Sequence, residues 1–536
     1  MDGDFKGDFT RDTFDLGRSF TRVLMQQGRV QLDADWNEQA DLFLYAQRRL
    51  ITNLVGPHWG VFDFDIDPKG NGGAGSIASI NPNSFKIASS SGSSNDFSIG
   101  AGFYYVDGVP CFNGLKNGQP LTYANQEPPP VPVPLGRDRY WVFLDVWERQ
   151  ITYLEDDNIR EVALGENGPD TATRAEVVWQ VKASNVPTVP PDTITRFGPN
   201  GQNAQNPLQR IKFVEDNTKL LQEVFQPTFL RGALKARGKV PPDGTVDPCI
   251  TPPDAQFRGD ENQLYRVEVH TGGTQETATF KWSRENGSVV FPIASLAGNT
   301  VTLGNLGRDT HLSLQPGDWV EIVDDDYIRQ VATLQGPGSI TPLQGAINPL
   351  LQVVTVDRAN LLVTLKGTLA SAPSPGVGQD QSKNPVLRRW DQKSGAGKVG
   401  SAPKLTKEGT IQINEGITDN TWLTLEDGVQ VQFQPSGTAD SMMYRTGDYW
   451  LIPARTITGD VLWPQENDPS GKPYLSGHPR ALSPRGVRHH YALLAVISFL
   501  SGDPAGTVID LRYMVPPLGK LAEVLDMTLP DFRNLL

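Results

Sequence analysis

The residues whose types could do chemistry are few, and their spacing argues against most reactions. His489 and His490 are adjacent, and neighbours on a strand face opposite sides, so the pair is badly placed to ligate one metal ion. His270 and His311 carry no matched carboxylate pattern and read as structural histidines. Asp324-Asp325-Asp326 is the most acidic short run. A calcium loop staggers its oxygens as Asp-x-Asp-x-Asp-Gly, so three consecutive aspartates read instead as a solvated turn. Glu148, Glu155, Asp156, Asp157, Glu426 and Asp427 are carboxylates that facing strands could pair for glycan hydrolysis. Among 61 acidic residues such a set has almost no specificity. There is no Gly-x-Ser-x-Gly elbow, no Walker A loop and no His-Glu-x-x-His. Gly70-Asn-Gly-Gly-Ala-Gly75 is glycine-rich but does not lead from a strand into a helix, as a dinucleotide loop must. Cys111 and Cys249 stand far apart, without the paired Cys-x-x-Cys of a zinc site, and read as two buried thiols. No catalytic residue, cofactor or metal ligand is assigned, and the expectation is a non-enzyme.

Tryptophan is more informative. Of the 11 tryptophans, Trp141, Trp147, Trp179, Trp282, Trp319, Trp390, Trp422, Trp450 and Trp463 fall mostly on strand-like segments. Aromatic rings dominate cores and interfaces alike. Core packing is the default reading, and a sugar-stacking surface is the alternative.

The scaffold that must position these residues is globular and β-rich. The chain has 536 residues, 38% hydrophobic and 20% charged, enough for several cores. Its 53 glycines and 42 prolines suit many turns and short strands. The formal net charge is −13, without a lysine- or arginine-rich run, which argues against nucleic-acid binding. No apolar run reaches ~18 residues, so no membrane insertion is expected. The start, Met-Asp-Gly-Asp-Phe-Lys, lacks a signal-peptide pattern, so synthesis in the cytoplasm is expected, with any release occurring inside a larger particle.

Period-two patterns mark the strands. Phe103–Val106 and Val109–Phe112 flank Asp107-Gly108, a hairpin signal. Tyr140–Trp147 reads as a buried strand with Ile151–Leu154 as its hairpin partner, and Glu176–Lys182 as another strand. Strands resume at Tyr265–His270, Ala278–Ser283 and Val289–Ile293, the last two joined through Asn286-Gly287. Short strands across 299–366 predict a small barrel. The predicted class is mainly β, with several small β-sandwich or barrel-like domains, an N-terminal extended arm and one amphipathic helix. The predicted divisions are an arm and helix (1–60), a β domain (61–185), an irregular connector with a short helix around Asp216–Val224 (186–260), a β domain with the barrel-like insertion (261–370), a linker (371–404), a C-terminal β domain (405–515) and a tail (516–536).

The arm and helix are the segment singled out for function. Phe5, Phe9, Phe14 and Phe20 are spread along a stretch too polar to fold alone, which suits an arm lying across a partner or a neighbouring domain. Asp35 and Glu38 have capping-box spacing. Trp36, Ala40, Phe43, Gln47, Leu50 and Leu54 recur at steps of three or four, on one helix face, before the stop signal Gly56-Pro57. Arg29, Asp33, Asp35, Trp36 and Glu38 are the candidate assembly-interface residues.

Gly7-Asp8-Phe9-Thr10-Arg11-Asp12-Thr13-Phe14-Asp15 and Gly28-Arg-Val-Gln-Leu-Asp-Ala-Asp-Trp-Asn-Glu-Gln39 carry a resemblance, as do Phe143-Leu-Asp-Val-Trp-Glu-Arg149, Phe280-Lys-Trp-Ser-Arg-Glu-Asn-Gly-Ser288 and Tyr444-Arg-Thr-Gly-Asp-Tyr-Trp-Leu-Ile-Pro453. They resemble a bacterial family of uncharacterised domains, whose members often occur with phage-tail-like contractile injection systems. Leu164-Gly-Glu-Asn-Gly-Pro169 departs from that pattern where a shorter glycine turn is expected. The Gly28–Glu38 stretch is also similar to the openings of some phage baseplate and tail-fibre proteins. The resemblance implies a structural component of an injection particle (baseplate, fibre or accessory protein), with other particle proteins as partners and trimers favoured. It supplies no catalytic residue. The alternative is a carbohydrate-binding or glycan-cleaving β protein with a glycan receptor.

Overall fold

A computed structural model describes residues 3–61, 83–89, 95–115, 121–127, 130, 135–165, 170–197, 207–225, 231–240, 256–307, 312–334, 347–395, 403–435, 443–474, 477–500, 503 and 507–515. Gly70–Gly75, Cys249, His311, most of the proline run and the 516–536 tail lie outside these residues. The architecture is mainly β, with several small sheets. The described helices are α1 (Asp33–Val55), α2 (Thr193–Phe197), α3 (Pro207–Phe225) and α4 (Asp325–Leu334). Among the described residues, no helix is long and apolar enough to cross a membrane.

The chain forms two compact units, each drawn from three separated stretches. One comprises Met1–Asp41, Arg149–Glu176 and Pro227–Val487, the other Leu42–Glu148, Val177–Gln226 and Arg488–Leu536.

In the first unit, a five-stranded sheet has the central strand Gln263–Thr271 between Thr279–Ser283 and Tyr449–Arg455. A three-stranded sheet pairs Ala233–Gly238 with Val429–Gln434. Both contribute to one apolar core, from Leu234 and Ala236 to Val267, Phe280, Phe433 and Trp450. The predicted barrel is present and closed, in the order Val290–Ala297, Thr300–Leu303, Leu362–Lys366, Leu351–Asp357, Trp319–Val323, Val386–Trp390. Every second residue points inward, so Val301, Leu303, Val363, Leu365 and Leu387 fill it. Its last strand lies inside the stretch expected to be a linker. Asn286-Gly287 does not make a hairpin of its flanking strands. It passes the chain out of the five-stranded sheet and into the barrel, because the two strands have different partners.

In the second unit, which holds the long strand Arg139–Ile151 as far as Glu148, this strand lies beside His490–Ser498, in antiparallel register from Arg139↔Ser498 to Val146↔His490. It is buried on both faces. Tyr140, Val142, Leu144 and Val146 join one core. Trp141 and Phe143 join another, with Leu221 of α3 and Phe197 of α2. This explains an apolar run without polar alternation.

Four local expectations are corrected. Residues 152–155 form a turn and no hairpin partner; the neighbours of Arg139–Ile151 come from Arg174–Ser184 and His490–Ser498. The 186–260 connector is not irregular throughout, since it holds α2, α3 and the Ala233–Gly238 strand. The helix expected near Asp216–Val224 begins at Pro207, and Phe213, Val214, Leu221 and Val224 pack against the sheet at helical spacing. The triple aspartate is no solvated turn. Asp324 is buried and accepts from Tyr327 N at 2.8 Å and Gly378 N at 3.0 Å, at the start of α4. Asp325 accepts from Arg149 at 2.8 Å.

Candidate assembly interface

The arm is bound to its own chain first. Gly3 O accepts from the Tyr449 hydroxyl at 2.6 Å. Asp4 accepts from Arg266 at 2.5 Å, and Lys6 lies 3.2 Å from Glu268. Asn286 donates to the Phe5 and Gly7 carbonyls at 3.1 and 2.9 Å. Burial opposes ionisation of Asp4, but the Lys6 and Arg266 charges outweigh it and hold the carboxyl below its usual range. Further along, Arg455 donates to Thr10 O at 2.8 Å, and Arg485 pairs with Asp12.

From Leu16 to Leu32 the arm is largely exposed, including Phe20, Leu24, Met25 and Val30. Arg29 lies in this exposed stretch, after a turn in which Gly28 has φ +69°. The helix then starts at Asp33, two residues before the expected cap, with Asp35 N donating to Leu32 O at 3.1 Å. The capping-box reading of Asp35 and Glu38 is therefore corrected. Asp35 is inside the helix and half-buried, while Glu38 accepts the Thr13 hydroxyl at 2.6 Å. Thr10 N donates to Asp33 at 2.8 Å, and Val23 N to Gln39 at 2.8 Å. These bonds tie the arm to the first turns of α1. Asp33 and Asp35 also place negative charge at the helix N-terminus, where the dipole favours it.

One side of α1 is buried. Ala34 and Leu42 are buried, and Arg48 binds Glu148 with both terminal nitrogens, at 2.8 and 3.2 Å. The predicted Asp107-Gly108 hairpin turn comes close to the helix backbone here. A Cβ on Gly108 would lie 2.8 Å from Arg48 Cα. Gly56, with φ +118°, ends the helix and donates to Thr52 O at 3.0 Å.

The opposite side is open and apolar. Trp36 is 60% exposed, Phe43 62%, Leu50 59% and Leu54 75%. Ala40 and Gln47 are exposed between them. The stripe read from spacing is thus the face left uncovered among the described residues. The five candidate residues separate accordingly: Trp36 and Arg29 face solvent, Asp35 is half-buried, and Asp33 and Glu38 hold the arm.

Several of the groups with chemical potential are buried or paired inside the fold. His489 and His490 have separate partners, Asp145 at 2.6 Å and Asp107 at 2.8 Å, as expected for neighbours facing opposite sides of a strand. His270 is buried, which pushes its pKa down to about 3. A cleft of about 790 Å³ is lined by Asp107, Arg210, Glu215, Lys219 and Arg512 among others. Two of these are already paired, Asp107 with His490 and Arg512 with Asp510 at 2.7 Å. Trp141, Trp147, Trp282, Trp390, Trp422, Trp450 and Trp463 are buried in cores, and Trp179 and Trp319 are half-buried. Strand tryptophans thus give little surface for stacking sugars. Among the described residues, no group of three or more His, Cys, Asp or Glu could hold a metal ion.

Sequence reasoning missed the arm's anchors, Asp4, Lys6, Thr10 and Thr13, because their partners Arg266, Glu268, Asp33 and Glu38 are distant in sequence. No curated protein and no solved structure matches the chain. A family model described as a family of unknown function (DUF6519) matches residues 5–187 and 201–503. With both long stretches matched, the chain belongs to this family of unknown function.

Proposed function

We propose that the protein is a structural component of a phage-tail-like contractile injection particle, acting through protein–protein assembly and not through catalysis. The observation that carries the assembly reading is the open face of α1, where Trp36, Phe43, Leu50 and Leu54 are each more than half exposed. Contiguous apolar surface on a folded protein marks an interaction site, whereas scattered exposed apolar residues do not. The helix beneath it is held on its other side by the Arg48–Glu148 pair. The particle itself is suggested by the resemblance of the Gly7–Asp15 and Gly28–Gln39 segments. In this reading the chain is made in the cytoplasm and is carried outside as part of the particle, with other tail proteins as its partners.

The test is incorporation. Particles assembled with a Trp36→Glu/Phe43→Glu/Leu50→Glu chain, or with residues 1–38 deleted, are expected to lack the protein when purified by sedimentation. Unchanged incorporation of both variants would sink the proposal.

A further inference from the structure

The spacing of the open face is that of a helix pairing with its own kind. Trp36, Ala40, Phe43, Gln47, Leu50 and Leu54 step by four, three, four, three and four, which is the seam of a coiled coil with alternating core positions. We infer that α1 packs against α1 of further copies of this chain, side by side, parallel and in register, along this seam. The inference rests on the assembly reading above and names the partner.

Charge supports a second copy as the occupant. The seam and its flanks, Asn37, Leu44 and Ile51 on one side and Gln39, Ala46 and Asn53 on the other, contain no charged residue. With no charge at the seam or its flanks, two copies in register bring no like charges together there, so the seam accepts its own kind. A basic or acidic partner helix would find nothing here to pair with. The area is also adequate. The exposed parts of the four large seam residues and Leu44 amount to on the order of 600 Å² per copy, close to the ~800 Å² per partner of a standard specific interface.

Gln47 sets the direction. In a parallel, in-register bundle Gln47 meets Gln47, and each amide can donate and accept across the seam. In the antiparallel arrangement that matches the same apolar positions, Trp36 meets Leu54, Ala40 meets Leu50, and Phe43 meets Gln47. That would bury an amide against a phenyl ring without a hydrogen-bond partner. A single polar core residue of this kind is a known device for fixing register. Leu44 and Ile51 widen the apolar strip beyond the two seam positions, which suits more than two helices.

The experiment is mass measurement of the purified full chain by sedimentation at micromolar concentration. The chain is expected to be an oligomer, and Phe43→Glu/Leu50→Glu a monomer with an unchanged circular-dichroism spectrum, since both side chains are exposed on the single chain. A monomeric parent chain overturns the inference. Register is read with Gln47→Cys, which is expected to cross-link to itself on mild oxidation far more than the parent chain does. Preferential cross-linking in a mixture of Phe43→Cys and Gln47→Cys chains would overturn the parallel register. The two readings fail separately: a monomer that still enters particles removes this inference alone, and an oligomer that never enters particles removes the particle reading alone.

Discussion

Thr10 and Asp33 are joined twice, by the Thr10 backbone N–H at 2.8 Å and by its hydroxyl to the other carboxylate oxygen. The residue that opens α1 therefore also holds the arm. Asp33→Ala is expected to cost about 1 kcal/mol locally, the scale of exposed hydrogen bonds. It should leave the global melt nearly unchanged. Hydrogen exchange resolves it: Thr10–Gln26 amides should exchange faster while the Gln263–Thr271 strand keeps its protection.

The buried ions under the arm make a stronger prediction. Arg266 is fully buried, donates to Asp4 and Glu268, and lies over the Tyr449 ring at 3.6 Å. Arg266→Ala leaves Glu268 without its guanidinium and is expected to cost about 3–5 kcal/mol. Asp4→Ala should cost less, because Glu268 stays paired. Urea denaturation of the two variants tests the order, and equal midpoints would refute it.

Acid stability should depend on Asp145. Burial raises its pKa, yet the His489 and Lys182 charges bring it down to about 2. A carboxylate depressed in the folded state contributes stability above its unfolded pKa near 3.9 and loses it as pH falls toward the folded value. Melting temperature should therefore drop between about pH 4 and pH 2 in the native chain. Asp145→Asn should be less stable at pH 7, with a flatter profile across that window.

Glu285 has the opposite sign. Burial, with Asp8 and Asp391 nearby, raises it to about 7. The unfolded chain ionises it first, so its presence destabilises the fold progressively as pH rises from about 4.5 to 7. Glu285→Gln is expected to raise the melting temperature by about 2–4 °C at pH 8 and to change little at pH 4. A gain of equal size at both pH values would refute the assignment.

Gly108 is constrained by conformation and by space. Its φ is +78°, and a Cβ would press on Arg48 of α1. Gly108→Ala should cost about 1–3 kcal/mol, read as a lower melting temperature. Because the strain falls at α1, the self-association inferred for that helix predicts a second effect, a weaker assembly at a given concentration.

What the sequence shows of all this follows from range. The α1 stripe, the Gly56 stop, the Asp107-Gly108 hairpin and the barrel's turn-rich spacing are written within a few residues, and periodicity or turn chemistry reveals them. The pairing of Arg139–Ile151 with His490–Ser498 is not local, and nothing in either strand names the other. The same holds for Asp4 with Arg266 and Thr13 with Glu38. Spacing also marked the apolar face of α1 without telling which side the chain itself would cover. That answer came from Arg48, Leu42 and Gly108 on the other side.

The strand order of the second unit has a further consequence for how the molecule is made. Its central strand Arg139–Ile151 needs His490–Ser498 beside it, and that strand is synthesised much later. During vectorial synthesis the apolar faces of Tyr140–Trp147 must wait, exposed, while more than half of the chain is still emerging. Nascent chains in that state are candidates for chaperone capture. Stopping translation anywhere before Ser498 should leave a product that cannot close this core, so proteolytic sensitivity would mark incomplete chains for removal before any could reach an assembly.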